Sequence, residues 1–394
     1  MDIVGQSKEL EQSLIALRRE VHENPEFGLH LPATVAVVER ELDGLGELRV
    51  ERDISCATLL IKGAHPGPTV LLRADMDALA VREETGLPFA SKNGFMHACG
   101  HDLHVAIGIG AAKLIHANRQ SLSGNVLVFF QSGEEGHGGA DLMIERGMHL
   151  ANGELPKAAY GIHVFSIGQA GGFTTKAGPM MASAGDMVVR FKGQAGHGSM
   201  PWMGKDPISP MVQAIGAIQQ LTAKSFSAFD QVIVNVGWIR AGETETTNVI
   251  PEEASFGATI RTFSTENFER IRLELAQLMR GIAAGFGVAV EVEFSDASKV
   301  VSNDADSVER VRQTVTKLFG PGRFEYMADP ITGGEDFSSV LELIPGSFIF
   351  LGAGASDVEP SAWQANHSNR AIFNESVISD GAALLAQLAL DVLA

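Results

Sequence analysis

Met96-His97-Ala98-Cys99-Gly100-His101-Asp102-Leu103-His104 sets a thiol, three imidazoles and a carboxylate within nine residues. A helix is expected over Ala106 to Ala117 directly after it, then a continuous apolar strand over Val126 to Phe130. The cluster therefore sits on a loop that enters a helix of an α/β layer, and Glu134-Glu135 follows the end of the next strand. Cys99 and His101 can reach one ion from such a loop, because thiolate and imidazole are good ligands for zinc and the other borderline divalent metals. Adjacent carboxylates on a loop can point apart, so one binds metal while the other takes a proton from water. His163 and His367 add isolated imidazoles beside short polar turns.

On the N-terminal side, Leu10, Leu14, Leu17 and Val21 recur at helical spacing and predict a helix over Ser7 to His22. Thr58 to Ile61 and Thr69 to Leu72 are short apolar runs split by His65-Pro66-Gly67-Pro68, and they read as neighbouring strands. Asp75 and Asp77 then fall just past a strand end. In open α/β sheets ligands gather beyond the carboxyl ends of strands, so Asp75, Asp77, Glu134, Glu135 and His163 are expected to converge.

The middle of the chain reads differently. Asp186 to Lys192 alternates like a half-exposed strand, helices are expected over Pro207 to Ala223 and Glu266 to Gly285, and strands near Gln231 to Ile239, Glu252 to Thr262 and Val288 to Phe294. That order, β-α-β-β-α-β, is the ferredoxin-like split βαβ pattern. Afterwards the α/β alternation resumes with Phe348 to Leu351 and a closing helix over Ile378 to Leu393. The expected division is a discontinuous catalytic domain, 1–184 and 297–394, with an inserted α+β domain at 185–296.

Composition limits the partners. Two domains are the natural expectation for 394 residues, and a net charge of −18 argues against nucleic acid or an anionic membrane as partner. The N-terminus has no basic stretch leading into an apolar one, and no apolar run spans a bilayer, so a cytoplasmic protein is expected. Only Cys56 and Cys99 occur, which suits a reducing compartment; Cys56 reads as a buried strand residue and Cys99 as a ligand or nucleophile.

Several ordered motifs carry a resemblance that runs nearly end to end. They are Arg19-Glu20-Val21-His22-Glu23-Asn24-Pro25-Glu26, Leu72-Arg73-Ala74-Asp75-Met76-Asp77-Ala78-Leu79, His97-Ala98-Cys99-Gly100-His101-Asp102, Glu134-Glu135-Gly136, Gly161-Ile162-His163, Gly196-His197-Gly198, Thr247-Asn248-Val249-Ile250-Pro251, Gly333-Gly334-Glu335-Asp336-Phe337 and His367-Ser368. The chain resembles the hippurate hydrolase and indoleacetyl-amino-acid hydrolase branch of the aminoacylase and carboxypeptidase metallohydrolases, with carboxypeptidase G a more distant relative.

The resemblance implies a three-layer zinc-exopeptidase-like α/β domain with the inserted domain serving as lid and dimerisation unit. It implies two divalent metal ions, manganese or zinc with nickel or cobalt as alternatives, bridged by Cys99 and held by His101, Glu135, His163 and His367. Glu134 would be the general base, and His197, usually acting across a dimer, would hydrogen-bond the oxyanion. A carboxylate that orients a ligating imidazole is usual at such sites, and Asp77 or Asp102 is placed to serve. Asn248 and Arg261 match residues that hold the substrate's carboxylate, a task that suits the guanidinium fork. The implied reaction is metal-dependent hydrolysis of an N-acyl-amino acid to a carboxylic acid and a free amino acid, in a homodimer or dimer-based oligomer.

The chain departs from the pattern in places. Gln131-Ser132-Gly133 stands where relatives carry Pro-Ala, His137 where glycine is common, Trp202 in a usual Pro-His pair, and Leu103 where a small residue is usual. These bear on acyl preference rather than mechanism. A dipeptidase or carboxypeptidase is the alternative within the same chemistry. A Cys99-nucleophile amidase with His101 as base leaves the glutamate pair unexplained, and a non-enzymatic metal-binding homologue would lack the base. His97, His104, His116, His137 and His149 read as non-ligands, His22 as a structural hydrogen-bonder, and Glu335-Asp336 as a helix N-terminus.

Overall fold

The computed structural model describes residues 2–295 and 298–394. The apolar runs assemble an eight-stranded sheet, in the order Glu47–Glu51, Cys56–Lys62, Ser123–Gln131, His65–Asp75, Ala158–Phe165, Gly346–Gly352, Phe173–Thr175 and Phe324–Tyr326. The four central strands run parallel, and their side chains are buried along most of their length, as expected of parallel strands covered on both faces. Helices Ile3–Glu23, His101–Asn118 and Val377–Val392 pack together against this sheet.

One sequence expectation is corrected here. Cys56–Lys62 and His65–Asp75 are not neighbours, because Ser123–Gln131 lies between them and pairs with both. All three strands are continuous apolar runs, so no alternation of side chains marks which pairs with which. Close glycine packing admits the intruding strand: a Cβ at Gly67 would meet the Ser123 carbonyl oxygen at 2.1 Å.

The chain divides into two compact units. One comprises Met1–Met180, Ser302–Asp329 and Asp336–Ala394, the other Met181–Val301 and Pro330–Glu335. The first expected break, 184/185, compares with an observed change at Met180/Met181; the second, 296/297, lies outside the described residues. The return of Pro330–Glu335 to the second unit was not anticipated, since nothing in its composition marks it.

The second unit holds a four-stranded antiparallel sheet ordered Val232–Ala241, Glu253–Thr262, Ser183–Lys192 and Ala289–Phe294, with helices Ile208–Ser225 and Thr265–Phe286. This is the ferredoxin-like arrangement. Met187, Val189 and Phe191 from alternate positions of one strand meet Met211, Ile218, Ile271, Leu275 and Met279 from the helices in its core. Helix Thr265–Phe286 begins where Ser264 accepts from the Asn267 N–H, and it stops at Gly287, whose φ of +66° an L side chain resists. No helix among the described residues is long and apolar enough to cross a membrane.

Candidate metal centre

Parallel strands deliver their ends to one side of the first unit's sheet. Asp75 and Gln131 are in register at the ends of adjacent strands, and Glu134-Glu135 follows directly. His163 lies near the end of the next strand, two residues past Gly161, which pairs with Arg73. The Cys99 loop enters helix His101–Asn118 through Gly100, whose φ is +83° and where a Cβ would strike Val164 at 2.5 Å. Only glycine allows this close approach.

These segments bring candidate donors together. Cys99 Sγ lies 3.3 Å from His163 Nε2 and 3.3 Å from His367 Nε2. His367 Nε2 is 3.1 Å from Glu135 Oε1, and His101 Nε2 is 4.0 Å from the same oxygen. Donor atoms of Cys99, His101 and His163 lie within 4.8 Å of one another, as do those of Cys99, Glu135 and His367, and those of His101, Glu134 and Glu135. The Cys99 sulfur is common to the first two groups.

The residues fit a metal. Both ring nitrogens of the buried His101 lack a well-formed hydrogen bond among the described residues; the nearest carboxylate oxygens are Asp75 Oδ2 at 3.4 Å and Asp77 Oδ1 at 3.5 Å. Unsatisfied buried polar atoms each cost roughly 1–3 kcal/mol, and an ion would relieve that. The ring nitrogens of the buried His97 also lack a hydrogen bond among the described residues, yet no three-residue donor group among them includes it.

Electrostatics agree. Burial opposes charge on His101, but Asp75, Asp77 and Cys99 outweigh it and hold its pKa well above the usual imidazole range. The bonds to Cys99, then Glu135, push His367 up to about 10. A field that keeps protons on imidazoles at neutral pH is one a divalent cation would satisfy. Burial instead holds His163 well below its ordinary value. Its Nδ1 hydrogen-bonds the Val164 carbonyl at 3.0 Å, which leaves the Nε2 lone pair facing the Cys99 sulfur.

Surrounding groups fix this geometry. Asp77 accepts the Glu134 and Glu135 backbone N–H groups on its two oxygens, each at 3.0 Å, so one carboxylate orients both glutamates and approaches His101. His104 uses Nδ1 on Asp75 and accepts the Val164 N–H on Nε2 at 2.9 Å, so it has no nitrogen left for a metal. His367 adopts φ +70°, strained for a non-glycine residue.

Asp336 stands at the N-terminus of helix Phe337–Leu343, as expected. Its side chain makes no cap hydrogen bond there and instead accepts from Gln131 Nε2 at 2.7 Å, Arg73 Nη2 at 3.1 Å and the Ala140 N–H at 3.0 Å. Arg73 also reaches Asp75 at 2.7 Å and Gln131 Oε1 at 3.0 Å. One buried guanidinium thus serves two carboxylates. Burial raises Asp336 to about 6, whereas for Asp75 Arg73 and the two histidines overcome burial and hold the carboxyl well below its ordinary range. The unusual Gln131 is explained: its amide bridges acceptor and donor in this network.

The remaining site candidates lie in the second unit. His197 and Val249 pair in a short two-stranded ladder, and the Gly198 N–H donates to the Asn248 carbonyl at 2.7 Å, so His197 and Asn248 are brought together. The Ser199 N–H donates to His197 Nδ1 at 3.2 Å, which leaves Nε2 to carry the proton of the neutral ring. Arg261, on strand Glu253–Thr262, places Nη1 on the Ile260 carbonyl at 2.8 Å and on Thr259 Oγ1; its Nε and Nη2 find no partner among the described residues. Trp202, in the short turn Pro201–Met203, is 75% exposed. Sequence reading missed Arg73, Gln131, Asp336 and Asn366 as supports of the site, because their roles depend on contacts between segments far apart in the chain.

A sheet with a parallel centre and a cysteine, histidine and glutamate cluster at the carboxyl ends of its strands, in a chain that also holds a unit of ferredoxin-like topology, defines an α/β metallohydrolase. The family model described as peptidase family M20/M25/M40 matches residues 71–391, and the chain belongs to that family. It is 34% identical over 97% of its length to thermostable carboxypeptidase 2 of Saccharolobus solfataricus, covering 96% of that protein. It is 33% identical over 96% of its length to N-acetylcysteine deacetylase of Bacillus subtilis, covering 97% of it. A Bacillus subtilis structure described as a dinuclear metal binding peptidase of the M20 family superposes with a TM-score of 0.83 at 30% identity, over 98% of this chain and 99% of that one.

Proposed function

We propose that the protein is a metal-dependent amidohydrolase that cleaves N-acyl-amino acids to a carboxylic acid and a free amino acid. One observation carries the reading: the Cys99 sulfur is shared by two three-residue donor groups, with Glu134 in the loop beside them. Relatives named N-acetylcysteine deacetylase, IAA-amino acid hydrolase and N-acetyldiaminopimelate deacetylase support it. Cys99, His101, Glu135, His163 and His367 would hold two divalent ions, manganese or zinc. When bound, such ions acidify water and polarise the scissile carbonyl.

The chain's own residues do the rest. Glu134 takes a proton from the attacking water and returns it to the leaving amine, a transfer worth about 10²–10⁴ in rate. His197 donates Nε2–H to the oxyanion, and the Ser199 N–H on Nδ1 selects that tautomer. Arg261 and Asn248 hold the amino-acid carboxylate. In this reading 185–296 is the lid and dimerisation domain of a cytoplasmic homodimer, which suits two free thiols.

Relatives named thermostable carboxypeptidase favour a second reading, in which the acyl group is peptidyl. Amine release from N-acetyl, N-benzoyl and indoleacetyl amino acids, compared with dipeptides, decides between them. Turnover of the acyl series is the expected result, and release from dipeptides alone would replace it with the second.

A further inference from the structure

We infer that Asn366 is a positioning residue for the centre, tying together the three segments that carry Cys99, His163 and His367. The inference rests on the metal reading above and deepens it. Asn366 Nδ2 lies 2.9 Å from the Val164 carbonyl, 3.2 Å from the Cys99 carbonyl and 3.8 Å from Cys99 Sγ. Its Oδ1 accepts the Ser166 N–H at 3.0 Å, with the Ser166 hydroxyl 2.9 Å away. The next residue, His367, donates its N–H to the Ala98 carbonyl at 2.9 Å.

These partners fix the amide's orientation. Two backbone carbonyls face Nδ2 and a backbone N–H faces Oδ1, so a flipped amide would set oxygen against oxygen and nitrogen against nitrogen. The Val164 carbonyl is also the acceptor that holds His163 Nδ1, so Asn366 grips the group that selects the His163 tautomer. The left-handed His367, φ +70°, is kept in place by its neighbour's grip on two other segments.

An aspartate at 366 keeps the shape and reverses the electrostatics, turning an oxygen toward two carbonyls and a sulfur. The test is chelator competition with cobalt(II) or zinc(II) on Asn366→Asp and Asn366→Ala, alongside circular dichroism and the cobalt–thiolate charge-transfer band. Folded variants should lose about 10–100-fold in metal affinity, as expected for a support of this kind, and shift that band. Wild-type affinity with an unmoved band in a folded variant overturns the inference. Should neither variant fold, Ser166→Ala is read the same way, with a smaller weakening expected and none overturning the idea. A wild-type chain that binds no metal would instead overturn the metal reading itself.

Discussion

The Cys99 sulfur lies 3.3 Å from an imidazole on each side, and everything near it is arranged for a cation rather than for a nucleophile. A cysteine nucleophile would leave Glu134-Glu135, held in place by Asp77, without a part in the chemistry, whereas a water-activating metal site uses both carboxylates. Replacing Glu134 with Gln should leave metal content unchanged and lower kcat by roughly two orders of magnitude or more, read by amine release and elemental analysis. A second expectation follows from His367, whose pKa of about 10 without metal means that the ion displaces a proton throughout the neutral range. Apparent metal affinity should therefore rise with pH from about 6 to 9. Competition titrations that show a flat or falling affinity would contradict it.

At the scale of elements, the first helix and the helix behind the cysteine loop are joined by a buried ion pair. Arg18 Nε is 2.6 Å from Asp102, which also pairs with His22 Nδ1 at 2.7 Å, and all three side chains are buried. Burial disfavours the Asp102 charge, but Arg18 and His22 overcome it and hold the carboxyl well below its ordinary value; His22 in turn is raised, Asp102 outweighing burial. Asp102→Ala removes one buried partner of Arg18, which keeps Glu375 at 3.1 Å, and should cost about 1–3 kcal/mol in denaturant unfolding. The Asp102 contribution, from a depressed pKa, is complete above about pH 4 and is lost as pH falls further; the His22 contribution, from a raised one, is complete below about pH 6.5 and is lost as pH rises through its folded value. Wild type should therefore lose stability below pH 4 more steeply than Asp102→Ala, and parallel acid curves would refute the assignment.

Elements were legible where periodicity is strong. Leu10, Leu14 and Leu17 marked the first helix, which extends to Ile3–Glu23, and the alternation of Asp186 to Lys192 marked a half-exposed strand within Ser183–Lys192. Pairing was not legible where strands are apolar throughout, and so Ser123–Gln131 was missed between its two partners. Asp336 was legible as a helix N-terminus, but its bonds to Arg73 and Gln131 were not, because only the folded chain puts those residues beside it.

For the molecule as a whole, the candidate residues divide between the two units. The donors Cys99, His101, Glu135, His163 and His367 belong to the first unit, and His197, Asn248 and Arg261 to the second. Both sets were named in the sequence through the family resemblance that the motifs carry, whereas the contacts of Asn366 and Gln131 were invisible because they act through segments that only the fold brings near. Arg261 offers Nε and Nη2 for a bidentate grip, so Arg261→Ala should raise KM for carboxylate-bearing substrates at least tenfold and leave their amidated analogues unaffected. An equal effect on both would remove Arg261 from carboxylate recognition.

The central claim is that these donors hold the metal on which amide hydrolysis depends. Its most direct test strips the protein with chelator, titrates back manganese or zinc, and follows bound metal and amine release from an N-acyl-amino acid in the same samples. Activity that is lost on stripping and returns in step with binding, saturating near two ions per chain, is the predicted result. Full activity in the stripped protein would contradict the account.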